Sequence, residues 1–313
     1  MRTTSFKSMY STNALERQDI PSFAEPAIVQ YTEIHMGVPV RITVSGGLKS
    51  SVDGGIRAAF DAFARLEQIL SDYRPTSELM LLCSKPAQQP HRVSEQLFTV
   101  LRSALTMAVT SKGAFDPTCG PFVHLWRQSS KTLKLPTAQA LAHAKASTGF
   151  QHLILNDENM SVTLNRPNMK IDLGGIAKGT AVDAAARALR SYHIKSFMIE
   201  AGGDIFTNGV KAPGVAWRIQ VGTKVVDLLG ALSISGDASQ HVIIGKRRFS
   251  HIIDPRTGLG MESPSHVVVR SGVSEVADAT ATAACVLGPR KASMLKSSRN
   301  FVDIEFIDRA DVL

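Results

Sequence analysis

The chain has 313 residues, 44% of them hydrophobic and 20% charged, with a formal net charge of +8. An apolar share spread along the whole length is enough for a sizeable core and excludes a disordered polymer, and the length sets a prior of about two domain-sized units. The positive balance favours an anionic partner but does not choose among nucleic acid, a membrane surface and a phosphate compound.

A membrane-spanning helix needs roughly 18 consecutive apolar residues. The longest apolar stretch, Val225 to Ile234, is broken by Asp227, Gly230 and Ser233, so no span is expected. Residues 1–28 carry Arg2, Lys7 and Arg17 among many Ser and Thr, without an apolar signal region or an early Cys. They read as a disordered tail, and the expected location is the cytoplasm. Cys83, Cys119 and Cys285 are odd in number and outside any Cys/His metal spacing, so they read as reduced, buried apolar residues.

In chain order, Val38, Val40, Ile42 and Val44 alternate with Pro39, Arg41 and Thr43, which predicts a strand over 38–44. Phe60, Phe63, Leu66 and Leu70 recur at helical spacing, predicting a helix over 54–71 that Pro75 stops. A second helix starts at Ser94 and ends before Gly113, with Leu97, Leu101, Leu105 and Ala108 on one face. A helix over 137–146 and a hairpin of 152–155 with 161–164 lead to a strand-turn-helix unit over 169–190. Strands are expected at 196–200, 215–221, 232–234, 242–244 and 267–269, helices at 274–287 and 289–297, and a closing strand at 302–307. Helices and strands in blocks, with no repeat and no low-complexity linker, predict an α+β fold with mixed or antiparallel sheets.

Four segments carry residues suited to chemistry. Asp172-Leu173-Gly174-Gly175-Ile176-Ala177-Lys178-Gly179 is a glycine-rich helix entrance, which either holds a phosphate, with Lys178 as a point charge, or is a structural turn. Gly113-Ala114-Phe115-Asp116-Pro117-Thr118 reads equally as a ligand loop or as turn punctuation. His251-Ile252-Ile253-Asp254-Pro255-Arg256-Thr257-Gly258 gathers an imidazole, a carboxylate and a guanidinium, which suits acid/base work or simply a charged turn. Asp278 and Thr282 are spaced i, i+4 and present two hard oxygens on one helix face, fit for Mg²⁺, while a carboxylate in a first helical turn also serves the helix dipole. Gly245-Lys246-Arg247-Arg248 reads as a solvated hairpin, and two Trp with four Tyr give few stacking platforms, so no nucleic-acid partner is expected.

These segments, together with Met36-Gly37, Ser71-Asp72-Tyr73-Arg74-Pro75, Asp183, Ala201-Gly202-Gly203-Asp204 and Ser235-Gly236-Asp237, resemble the ApbE family of FAD:protein FMN transferases in order along residues 30–308. The resemblance implies one T-fold-like α+β catalytic unit over 29–313. FAD would be the substrate, with one or two Mg²⁺ ions at its pyrophosphate. By position, Met36, Tyr73, Ala114, Phe115, Asp116, Asp172, Lys178 and Ile252 would contact FAD, and the Gly175 carbonyl, Asp278 and Thr282, with Ala281, would hold the metal. His251 would sit at the reacting phosphate, where it or a neighbouring carboxylate, Asp254, takes a proton. The implied reaction moves FMN onto a Ser or Thr of an acceptor flavoprotein and releases AMP. Mg²⁺-dependent FAD hydrolysis to FMN and AMP, and FAD binding without chemistry, are the alternatives. Arg127 to Ser130 and Lys211 to Ser233 depart from the family's usual pattern.

Overall fold

Period-two segments build a seven-stranded sheet whose spatial order is its chain order: β1 (Ile28–His35), β2 (Val38–Ser45), β3 (Phe197–Ala201), β4 (Asp204–Asn208), β5 (Gly230–Ser235), β6 (Ser265–Ser271) and β7 (Asp303–Asp308). Every neighbouring pair is antiparallel. The computed structural model describes residues 27–237, 240–262, 265–296 and 302–308. Most of the expected tail, 1–26, lies outside the described residues, and the helix expected over 289–297 is shorter, a single turn over Pro289–Ala292 followed by a 3-10 turn over Ser293–Leu295.

The α+β expectation holds, because helices cover one face of this meander. Val40, Ile42 and Val44 of β2, Phe197 and Ile199 of β3 and Val267 and Val269 of β6 enter the main core. They meet α1 (Lys49–Leu70), α3 (Glu95–Thr110), α6 (Ala177–Ser191) and α7 (Ser274–Leu287), with α2 (Glu78–Ser84) alongside. Alternate residues Leu232 and Val268 point the other way, under a ribbon of Trp217–Val221 with Lys224–Leu228. A satellite core joins Phe122 and Trp126 of α4 (Gly120–Thr132) and Ala144 of α5 (Ala138–Ala146) to Phe249 and Ile253. It anchors the segment that carries His251. No helix among the described residues is long and apolar enough to cross a membrane.

The structure also departs from the expected elements elsewhere: one expected strand is absent, and β1 and the helices α2 and α4 form where no element is expected. β1 is an edge strand exposed at five successive positions, so it has no alternating apolar signal. It joins β2 through a two-residue turn in which Met36 and Gly37 both take positive φ (50° and 75°), the geometry that matches the twist of a hairpin. The expected strand at the start of 169–190 does not form; those residues run extended beside Pro117 and Cys83, with Asp172 N donating to Pro117 O. α2 and α4 form outside the expected helices, the first capped by Ser77 Oγ on Met80 N and the second opened by Pro121.

α6 and α7 meet at their N-termini and cap one another. Asp183 of α6 accepts from Ser274 N and Glu275 N of α7, both at 2.9 Å. Asp278 of α7 accepts in turn from Gly179 N of α6 at 3.1 Å. Each carboxylate satisfies donors that a helix start leaves open and lies at the positive end of the partner's dipole. Asp183→Ala is expected to lower the unfolding free energy by about 1–2 kcal/mol, read as a reduced urea midpoint at unchanged m. The crossing requires Gly179, where a Cβ would lie 2.4 Å from the Ser274 carbonyl oxygen. Backbone cannot yield as a side chain can, so Gly179→Ala should cost about 3 kcal/mol, the upper range for overpacking, and appear as a thermal midpoint lowered by several degrees.

Candidate active site

The crossing places the glycine-rich entrance of α6 against one face of α7. Gly175 has no room for a side chain: a Cβ would come within 2.9 Å of Thr282 Oγ1 and Cγ2 and 3.1 Å of the Phe115 ring. Beside it the Lys178 ammonium lies 3.3 Å from both Asp278 oxygens, 3.4 Å from the Gly174 carbonyl and 3.2 Å from Asp204 Oδ2. Asp204 and Asp278 are 1% and 2% exposed. Two buried carboxylates thus share one ammonium, and the three groups carry one negative charge in excess. Burial lowers the Lys178 pKa, but Asp204 and Asp278 outweigh it and hold the ammonium well above its ordinary range. Burial, and then the Asp278 charge, push the Asp204 carboxyl up to about 6.

A line of contacts leads from this floor to an aromatic face. Asp172 Oδ1 accepts from Gly174 N at 2.8 Å, and its Oδ2 lies 3.6 Å from Arg127. Arg127 also donates to Asp72 at 2.5 Å and lies flat on the Tyr73 ring, 3.9 Å from its centroid. Burial, and then Asp72, raise the Asp172 carboxyl to about 6. Tyr73 is 75% exposed. Met36 joins the same rim, since Glu67 accepts from Met36 N at 3.2 Å and from Arg74 at 3.0 Å. A groove of about 790 Å³ opens beside Arg127, with Asp72, His124, His143 and Lys170 in its wall.

The other expected residues divide. Ala114 and Phe115 are buried, Phe115 against Gly175. Asp116 spends both oxygens inside the protein, Oδ1 on Thr118 N and Oγ1 (2.8 and 2.6 Å) and Oδ2 on Phe150 N (3.1 Å), so it shapes the loop beneath the site. Burial raises its pKa. Asp254 is likewise engaged, paired through both oxygens with Arg256 at 2.8 and 2.7 Å. Ile252 is buried, and Ala281 lies within α7 next to Thr282.

His251 stands exposed at the rim, its Nδ1 3.2 Å from the Gln240 carbonyl. Surrounding protein first, and the Lys178 charge among the lesser causes, hold its pKa below the ordinary imidazole value, against the pull of the Gln240 carbonyl and Asp237. The three cysteines are unbridged, and burial, then Asp172, raises the Cys119 thiol well above its ordinary value.

The oxygens around Lys178 fit a hard divalent cation. Asp278, Thr282 and the Gly175 backbone supply a carboxylate, a hydroxyl and a carbonyl, few enough to leave places for water and phosphate as Mg²⁺ prefers. The Lys178 ammonium already rests on the Asp278 carboxylate, and the same ammonium lies 3.2 Å from the buried Asp204 Oδ2. Among the described residues no three His, Cys, Asp or Glu side chains cluster as an all-protein metal cage. Two participants were not legible as such. Asp204 was visible only as the end of a Gly-Gly turn, and Arg127 only as a departure from pattern.

An antiparallel meander covered by two helices that cap one another at their N-termini, with an ammonium shared between buried carboxylates at the crossing, defines an α+β protein with a charged site at a glycine-rich helix entrance. The profile of the ApbE family matches residues 36–305. The chain is 32% identical over 255 residues to the FAD:protein FMN transferase of Vibrio cholerae, a match covering 77% of this chain and 75% of the relative. It is 30% identical over 241 residues to the protein of that name from Escherichia coli K12, covering 72% and 69%. The flavin transferase ApbE of Vibrio cholerae, solved as a histidine-to-glycine variant, superposes with a TM-score of 0.80 at 26% identity, over 91% of this chain and 98% of that one. The chain belongs to the ApbE family.

Proposed function

We propose that the chain transfers FMN from FAD to a Ser or Thr hydroxyl of an acceptor flavoprotein, forming a phosphoester and releasing AMP. The observation that carries this reading is the pair of buried carboxylates sharing one ammonium beneath a glycine-rich helix entrance. Its excess negative charge would repel a pyrophosphate, so the site calls for a divalent cation before it can hold one. The Gly175 carbonyl, Asp278 and Thr282, with the Ala281 carbonyl next along α7, would hold Mg²⁺. When bound it neutralises phosphate charge and steadies the leaving AMP.

The chain's own residues do the rest. The open backbone at Gly174–Gly175 and the N-terminus of α6 receive phosphate oxygens, and Lys178 adds a fixed charge. Tyr73 and Met36 line the rim for the aromatic part of FAD, and Asp172 with Arg127 spans the distance between. The acceptor oxygen attacks the FMN-side phosphorus, the bond to the AMP oxygen breaks, and the hydroxyl proton passes to His251. His251 is neutral at neutral pH and exposed, whereas Asp254 is bound through both oxygens to Arg256. Ala114, Phe115, Asp116 and Ile252 form the floor against which FAD packs. The unbridged cysteines favour work in the cytoplasm.

Incubation with FAD, Mg²⁺ and a candidate acceptor flavoprotein tests the reading. In-gel flavin fluorescence on the acceptor together with AMP is the expected result. Free FMN with AMP and an unlabelled acceptor would mean hydrolysis, and bound FAD without AMP at any Mg²⁺ concentration would sink the enzymatic reading.

A further inference from the structure

Asp204 is the carboxylate at Lys178 that lies outside the proposed metal ligands, and it is as deeply buried as Asp278. It begins β4 opposite Ser233 of β5, whose hydroxyl donates to Asp204 Oδ1 at 2.5 Å. Gly203 lets this strand lie close, for a Cβ there would meet the Ile234 carbonyl at 2.5 Å. One oxygen is therefore fixed by the sheet. The other, Oδ2, pairs with the Lys178 ammonium at 3.2 Å.

The geometry poses a problem of competition. The ammonium occupies both oxygens of Asp278 at 3.3 Å. A divalent cation at Asp278 and the ammonium compete for the same carboxylate oxygens, and a partly buried ammonium that loses a carboxylate partner is disfavoured. Asp204 supplies the partner that stays. We propose that Asp204 is a positioning residue that retains the Lys178 ammonium when Asp278 is given over to a divalent cation. The inference rests on the reading of Asp278 as a metal ligand. Asp204 acts through Lys178 and need not touch the cation.

The test is Mn²⁺ titration without FAD, with free Mn²⁺ read by its electron paramagnetic resonance signal, on the wild type, Asp204→Asn, Lys178→Met and the double variant. Asp204→Asn should weaken Mn²⁺ binding about 10-fold or more, the scale of one charge-assisted hydrogen bond, because Asp278 then holds the ammonium without a second carboxylate to share it. The double variant, lacking the competitor, should bind at least as tightly as the wild type. A double variant as weak as Asp204→Asn would overturn the inference, since removing the competing ammonium should restore the cation to Asp278. If Asp204→Asn does not fold, Ser233→Ala, alone and with Lys178→Met, should show the same weakening and recovery on a smaller scale, and no recovery there overturns the inference equally. Asp278→Ala separates the two levels: Mn²⁺ binding equal to the wild type would end the metal reading and the inference together. Lost binding in Asp278→Ala without recovery in the double variant would end the inference alone.

Discussion

Asp278→Ala should lower Mg²⁺-dependent AMP release about a thousandfold at saturating FAD, a loss of several kcal/mol of transition-state stabilisation. The substitution removes the carboxylate of the proposed donor set and leaves Lys178 to Asp204. It also removes the acceptor for Gly179 N at the start of α6, which should cost about 1 kcal/mol of stability. The two effects separate by measuring the urea midpoint beside the rate. Asp278→Asn keeps an oxygen for Gly179 N, so its stability should stay nearer the wild type while its Mg²⁺ requirement rises steeply. Turnover of Asp278→Ala within a few-fold of the wild type at ordinary Mg²⁺ would remove the carboxylate from the metal site.

His251→Ala is the second large effect, about 10² to 10⁴-fold in rate, the span of a lost general base. Its pH dependence gives a sharper test than its size. Because the imidazole pKa is lowered, the neutral, proton-accepting form prevails at pH 7. The wild-type rate should be full near neutrality and fall as pH drops below the ordinary imidazole value of about 6.5. In His251→Ala that acid limb should vanish and leave a low rate. An acid limb persisting unchanged in the variant would assign the proton to another group. The raised carboxyls of Asp172 and Asp204, at about 6, are the first to examine.

The elements that announce themselves by periodicity are those with one buried face. α7 runs over Ser274–Leu287 as its pattern predicts, and the hydrophobic run of α1 is correct although the helix starts earlier, at Lys49. β1 is missed because an exposed edge strand need not alternate, and its turn depends on a Met at positive φ that no composition rule anticipates. The stretch before α6 reads as a strand because it is apolar, but its buried residues, Met169, Ile171 and Leu173, pack into the core from extended chain without a ladder.

The site was legible to the same degree and for similar reasons. Gly175, Lys178, Asp278 and Thr282 are local in sequence, two on a glycine turn and two at i, i+4, and the fold brings the pairs together. What links them is not local. The reciprocal capping by Asp183 and Asp278, the sharing of Lys178 with Asp204, and Arg127 lying across Tyr73 and Asp72 all join residues far apart in the chain. Asp116 and Asp254 illustrate the converse. A carboxylate in a conspicuous motif can have both oxygens committed inside the protein, Asp254 to Arg256 two residues on and Asp116 to its own turn and to the distant Phe150 N, which only the fold reveals.

The most direct measurement is a crystal structure of the chain with FAD and Mg²⁺. The pyrophosphate is expected at the entrance of α6 between the Gly174–Gly175 backbone and Lys178, with the cation on Asp278 and Thr282 and the ammonium kept by Asp204. A pyrophosphate bound elsewhere, for example in the groove beside Arg127, with Lys178 still bridging Asp204 and Asp278, would contradict that placement.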